Sequence, residues 1–203
     1  MLSLRLRPLI ARGVDPLAAG LLKAGVTPDA ITLAGTVGTV LAAVLLLGTG
    51  RFLAGALVVA AFVLTDTLDG AMARLRGTTS RFGAWLDSTC DRAADAAVFG
   101  SLAFWYAGPG DSRGMQAVCI YVLATSVLVS YAKARAEGLG MACNVGIAER
   151  TERLVVVLAG SLAVGLGAPV AVLSVALILL AVLTTVTVGQ RAAEVRRRAA
   201  LQA

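Results

Sequence analysis

Histidine is missing altogether from the 203 residues, so no side chain with an ordinary pKa between pH 5 and 8 is present. Proton transfer near neutrality then falls to carboxylates, lysines, cysteines or tyrosines. Charge is scarce: 15% of residues are Asp, Glu, Lys or Arg, against about 25% in a soluble globular domain. That is too little polar surface to coat a body in water. Cys90, Cys119 and Cys143 are odd in number and lack CxxC spacing, which argues against a disulfide framework or a zinc knuckle. They read as small packing residues in a reducing compartment. A cleavable leader is not expected either, because Arg5, Arg7, Arg12 and Asp15 interrupt the first 23 residues before any apolar core. The net charge of +6 comes with no basic-aromatic module, so no nucleic-acid partner is expected.

What is present is apolar sequence, at 58% hydrophobic residues. A spanning helix needs about 20 such residues, and six stretches qualify: roughly 29–49, 52–74, 83–107, 115–136, 152–167 and 169–190. A tight turn at Gly165–Pro169 separates the last two. Asp15-Pro16 is a helix-start signal. Val14, Leu17, Leu21 and Leu22 follow at helical spacing, which predicts an amphipathic helix in the interface. The expectation is an all-α integral membrane protein with six transmembrane helices. A juxtamembrane segment (1–26) would precede a six-helix core (27–190) and a basic tail (191–203), all in one domain.

Charge asymmetry orients this layout. With six spans, one side receives Arg5, Arg7, Arg12, Lys23, Arg74, Arg76, Arg81, Lys133, Arg135, Arg150, Arg153, Arg191, Arg196, Arg197 and Arg198, which is 15 of the 18 basic residues. Arg51 and Arg113 fall opposite, and Arg92 lies within the third span. By the positive-inside rule both termini are cytoplasmic. Trp85 and the pair Trp105-Tyr106 bracket the third span, about 30 Å apart, as interfacial aromatics would.

The chemistry lies inside the helices. Asp66 and Asp69 are spaced i,i+3, and Asp87 and Asp91 are spaced i,i+4, so each pair shares a helix face near the same membrane surface. A charged residue within a span costs about 2.5–3.5 kcal/mol on insertion scales and points to function by default. Four neighbouring carboxylates cannot all ionise without compensating cations. Oxygen donors without His or Cys favour Mg²⁺, Mn²⁺ or Ca²⁺ over zinc, and a pair of such ions suits phosphoryl transfer. Gly70 and Gly83 permit close approach of a phosphate ligand to backbone, and Arg74 is placed to hold phosphate oxygens. Helix-end capping is the bland alternative, but it does not account for two same-face pairs beside glycine and arginine. Asp95 lies one turn further along; it reads as a structural hydrogen-bonding group or a partner of Arg92.

The run Asp66-x₂-Asp69-Gly70-x₂-Ala73-Arg74-x₈-Gly83-x₃-Asp87-x₃-Asp91 resembles the signature of the CDP-alcohol phosphotransferases at every defined position. The resemblance implies displacement of CMP from a CDP-alcohol by the hydroxyl of a second alcohol. It makes Asp66, Asp69, Asp87 and Asp91 ligands of two Mg²⁺ ions, with Mn²⁺ as a substitute, and Asp91 also the base. It assigns the lipid nucleotide to Asp29, Ala30, Ile31, Thr32, Asp66, Asp69, Gly70, Ala73, Arg74, Ser80 and Gly83.

A second basic group gathers from three helix ends on the same expected side: Lys133 and Arg135, Arg150 and Arg153, and Arg191. Converging cations suit an anionic acceptor such as a phosphorylated alcohol; topology with local Glu–Arg pairing is the alternative. Lys133-Ala-Arg135-Ala-Glu137 followed by Glu149-Arg150-x-Glu152-Arg153 resembles the actinobacterial phosphatidylinositol phosphate synthases. That subgroup implies CDP-diacylglycerol as donor and 1D-myo-inositol 3-phosphate as acceptor. Its phosphate would lie on Lys133, Arg153 and Arg191, in a homodimer of the cell membrane with the active site facing the cytoplasm. Glycerol 3-phosphate is the competing acceptor. A divalent-cation transporter is the competing class, disfavoured because no second acidic cluster or internal repeat accompanies the first.

Overall fold

Long apolar runs that leave water can satisfy their backbone internally as helices, and among the described residues only helices and their connections occur. The computed structural model describes residues 15–77 and 80–202, with Asp66 and Gln202 described by backbone alone. Val14, where the expected interfacial helix starts, and Arg5, Arg7 and Arg12 lie outside the described residues. The helices are α1 (residues 15–23), α2 (Pro28–Ala42, continued as a π-helical turn over Ala43–Leu47), α3 (Phe52–Val63), α4 (Thr65–Arg76), α5 (Arg81–Ala107), α6 (Arg113–Gly138), α7 (Arg150–Gly165) and α8 (Ala171–Gln202). Each of the six expected apolar stretches is helical.

Four segments are by themselves long and apolar enough to cross a membrane: Pro28–Leu47, Phe52–Arg76, Arg113–Gly138 and Ala171–Leu201. The other two depart for different reasons. Helix α5 has 27 residues but carries Asp87, Asp91, Arg92 and Asp95. Helix α7 has 16 residues, about 24 Å, short of a hydrocarbon layer of about 30 Å.

The chain divides into two compact units, one of Met1–Ala42 and Val58–Ala94 and one of Ala43–Leu57 and Asp95–Ala203. In the first, α1 seats Ala18 against Ala71 and Met72 of α4, with Leu21, Leu22, Val26 and Ile31 around them. Helix α2 meets the α3–α4 junction through glycines. A Cβ on Gly35 would stand 2.2 Å from Thr65 Oγ1, and one on Gly38 would stand 2.3 Å from the Phe62 ring. That junction is the main departure from the expected continuous second span. The helix breaks at Leu64, and two hydroxyls take carbonyls there: Thr65 Oγ1 donates to the Phe62 carbonyl at 2.6 Å, and Thr67 Oγ1 to the Leu64 carbonyl at 2.6 Å. Hydroxyls at −3 carbonyls are a recognised way to bend a helix within a membrane.

In the second unit α6 and α8 are joined by hydroxyl pairs, Thr125 with Thr184 and Tyr121 with Thr185, each at 2.8 Å. Gly160 of α7 lets Leu173 and Ala176 of α8 approach. Trp105 and Tyr106, expected at the membrane interface, are buried within the protein. The Trp105 ring packs edge-on to Phe52, at 4.8 Å between centroids, and Tyr106 Oη shares a 2.9 Å hydrogen bond with Ser174. A Cβ on Gly50, at φ +80°, would stand 2.7 Å from Trp105 Nε1. Cys90, Cys119 and Cys143 are buried free thiols, as their spacing led us to expect. The expected basic tail is helical, with Glu194 bonded to Arg197 and Arg198.

Candidate active site

The broken second span sets the position of the first aspartates. Restarting at Thr65, α4 carries Asp66 and Asp69 in its first turn and a half, and Gly77 ends it in the left-handed conformation at φ +66°. Asp69 is buried, and its Oδ2 accepts a hydrogen bond from Thr32 Oγ1 of α2 at 2.5 Å. This is the length expected of a hydroxyl on a charged carboxylate. The same hydroxyl lies 3.2 Å from the Pro28 carbonyl, so it is held at both ends. Thr32, expected to touch the lipid nucleotide, thus orients an aspartate as well.

Glycine and arginine are brought together as their spacing suggests. A Cβ on Gly70 would lie 3.4 Å from Arg74 Nη1, so the guanidinium lies against the bare Cα. Arg74 is exposed, while Ala73 is half-buried beside it. At the start of α5, Gly83 N–H donates to Ser80 Oγ at 2.8 Å, and a Cβ on Gly83 would stand 3.3 Å from Asp29 Oδ1. Asp29, Ser80 and Gly83 therefore meet, although 51 or more residues separate Asp29 from the other two. Ala30 is exposed, and Ile31 turns into the apolar cluster with α1 and α4.

Asp87 is exposed on α5, and Asp91 one turn later is partly buried, with Oδ2 3.3 Å from Arg92 Nη2. The side chain of Asp66 lies outside the described residues. Among the described residues, no three His, Cys, Asp or Glu side chains gather as a complete metal site. What the structure offers a hard cation is a donor set of oxygen alone, with one carboxylate buried and held in orientation by a hydroxyl. That chemistry fits Mg²⁺ or Mn²⁺.

The basic residues belong to the second unit. Arg191 of α8 is buried; Nε donates to the Val145 carbonyl at 2.9 Å, Nη1 to the Val129 carbonyl, and Nη2 to Glu149 at 3.3 Å. Lys133 follows Val129 by one turn of α6 and is half-buried. Arg153 is also buried, its Nη1 donating to the Ala148 carbonyl at 3.0 Å. Arg153 and Arg191 thus clasp one stretch of chain, 145–149. Thr187 adds a third tie, accepting from Ala148 N–H at 3.0 Å. Asp95 is a hydrogen-bonding group, as its position suggested, but its partner is not Arg92, and reading the sequence did not name the partner it has. Its Oδ2 takes Arg153 Nη2 at 2.8 Å. The signal was available: a carboxylate within a span needs a cation, and Arg150 and Arg153 share a helix face at the start of α7.

Thr32→Val is expected to weaken apparent metal affinity by roughly ten- to a hundredfold, the range seen when an outer partner of a ligand is lost. A Mg²⁺ titration of activity measures this; an unchanged half-saturation would show that Thr32 does not orient Asp69 for a cation.

Comparison with known proteins adds three findings. The CDP-alcohol phosphatidyltransferase family profile matches residues 25–187. Phosphatidylinositol phosphate synthase from Streptomyces avermitilis is 45% identical over 206 residues, covering 98% of this chain and 84% of that protein. The synthase of the same name from Mycobacteroides abscessus is 45% identical, covering 97% and 89%. Among solved structures, phosphatidylinositol phosphate synthase of Mycobacterium tuberculosis with CDP-DAG bound superposes with a TM-score of 0.88 at 45% identity, covering 91% of this chain and 94% of that one. The same enzyme in complex with manganese and citrate superposes with a TM-score of 0.85, also at 45% identity, covering 90% and 88%.

Proposed function

Because the chain belongs to the CDP-alcohol phosphatidyltransferase family, we propose that it transfers the phosphatidyl group of CDP-diacylglycerol to 1D-myo-inositol 3-phosphate, releasing CMP. The observation that carries this reading is the complete family signature, laid on α4 and α5, in a chain 45% identical to phosphatidylinositol phosphate synthases along nearly its whole length.

In this reading Asp66, Asp69, Asp87 and Asp91 hold two divalent ions, Mg²⁺ or Mn²⁺. When bound, such ions neutralise the diphosphate and the departing CMP. The Mycobacterium tuberculosis enzyme solved with manganese supports that class of metal. Thr32 keeps the Asp69 carboxylate turned inward. Arg74, lying over Gly70, meets phosphate oxygens, and the Asp29, Ser80 and Gly83 cluster lines the same nucleotide site together with Ala30 and Ala73, whereas Ile31, expected there too, is turned into the apolar cluster with α1 and α4. Asp91 takes the proton from the acceptor hydroxyl as its oxygen bonds to the phosphatidyl phosphorus. The phosphoanhydride bond breaks, and CMP leaves with the bridging oxygen. Lys133, Arg153 and Arg191 bind the acceptor phosphate. Arg191 gives three of its five N–H groups to protein oxygens and so also keeps 145–149 in place, which leaves one N–H on each terminal nitrogen for the phosphate.

All six apolar helices span the bilayer in this proposal, with both termini and the active site on the cytoplasmic face of the cell membrane. The bias of 15 basic residues in 18 to that side supports it. A charged helix such as α5 is tolerable in a bundle because Asp95 is paired and buried. A homodimer is the assembly that the family likeness suggests.

The test is an acceptor screen. Purified protein with CDP-diacylglycerol and a divalent cation is expected to release CMP with inositol 3-phosphate and not with glycerol 3-phosphate. The reverse preference would replace the acceptor while keeping the family chemistry.

A further inference from the structure

Asp95 follows the last signature aspartate by four residues and belongs to no part of the signature. It is 1% exposed, yet it is one carboxylate facing two guanidinium groups: Oδ2 lies 2.8 Å from Arg153 Nη2, and Oδ1 lies 3.7 Å from Arg150 Nε. Arg153 is equally buried. Its Nη1 is spent on the Ala148 carbonyl, and its Nε has no hydrogen-bond acceptor among the described residues. The other buried arginine is spent differently. Arg191 gives Nε, Nη1 and Nη2 to protein oxygens.

A buried ion pair is weak evidence for a stability device, since apolar replacements of similar volume are often neutral or better. What a carboxylate and a carbonyl on two ends of a planar guanidinium do accomplish is to fix its plane. The unspent N–H groups, Nε–H among them, are then aimed without further cost when an anion arrives. A desolvated Nε–H with no acceptor is otherwise a cost that folded proteins rarely carry.

We propose that Asp95 is a positioning residue for the acceptor: it sets the plane of Arg153 so that the unspent Nε edge is presented to the acceptor's phosphate. The inference rests on the reading of Arg153 as a phosphate-binding residue. Asp95 itself touches neither substrate, and its effect travels through Arg153.

The experiment is steady-state CMP release by the full-length protein, varying each substrate in turn. Asp95→Asn keeps an oxygen acceptor but removes the charge that holds the guanidinium. It is expected to raise KM for the acceptor about tenfold, with kcat at saturating acceptor and KM for CDP-diacylglycerol within about twofold of wild type. In an Arg153→Ala background the same substitution is expected to add nothing, because the group it orients is gone. Arg153→Lys, which keeps the charge and loses the plane, is expected to raise the acceptor KM likewise; should Asp95→Asn fail to fold, Asp95→Glu, which keeps the charge and displaces the carboxylate, is read in its place and is expected to raise the acceptor KM alone. An unchanged acceptor KM, an equal rise in both KM values, or full additivity with Arg153→Ala would each overturn the role. If wild-type protein prefers glycerol 3-phosphate, the acceptor assignment fails, but the same comparison made with that acceptor still tests Asp95.

Discussion

Asp91→Asn is expected to cut CMP release by about 10²–10⁴-fold, the usual contribution of a positioned general base. With no histidine in the chain, the base must come from another residue type. Asp91 is the signature carboxylate deepest along α5, partly buried, one turn from Asp87 and within 3.3 Å of the Arg92 guanidinium. Asparagine keeps the shape and a carbonyl oxygen but cannot take the proton. Binding of CDP-diacylglycerol to the variant, measured by equilibrium retention, is expected to stay within a few-fold of wild type. Near-normal kcat in Asp91→Asn would remove the residue from the reaction.

Metal removal is expected to have the next largest effect. Exhaustive chelation is expected to abolish turnover with every acceptor, and Mg²⁺ or Mn²⁺ is expected to restore it. The reason is electrostatic: adjacent carboxylates repel one another and a diphosphate unless cations stand between them. Chelation is also expected to lower the thermal midpoint, since an ion bound only by the folded state stabilises it by mass action. Persistent CMP release in metal-free protein would show that the aspartates serve another purpose. A lowered midpoint with full activity would make the ions structural.

These two results depend on residues that could be picked out without coordinates, and the reason is local. Residues three or four apart on a helix share a face whatever the rest of the chain does. The spacing of Asp66 with Asp69, and of Asp87 with Asp91, therefore defined two acidic faces as soon as the segments were read as helices. The packing of Gly70 against Arg74 is of the same kind, a relation within one turn of α4. Apolar run length is local as well, and each of the six runs is helical. The break at Leu64 was partly visible in Thr65 and Thr67, but the room for the Thr65 hydroxyl comes from Gly35 of α2.

Partners distant along the chain were not fixed by spacing, even where, as for Asp95, the need for a cation was legible. Thr32 is 37 residues from Asp69, and Asp95 is 58 from Arg153; no periodicity links such pairs. Trp105 and Tyr106 looked like a membrane-interface pair from their place at a helix end. Their burial follows from Phe52, Gly50 and Ser174, which only folding brings to them. Arg191 and Arg153 were equivalent as basic residues near helix ends, and the structure separates them by what their nitrogens already hold. The amino-acid sequence by itself determined the helical class and the acidic faces, which follow from composition and from spacing within a turn, and it carries the signature whose resemblance implied the family chemistry. Tertiary packing alone decided which polar groups are oriented and which remain available, because a hydrogen bond between distant segments exists only once burial has removed water as the competing partner.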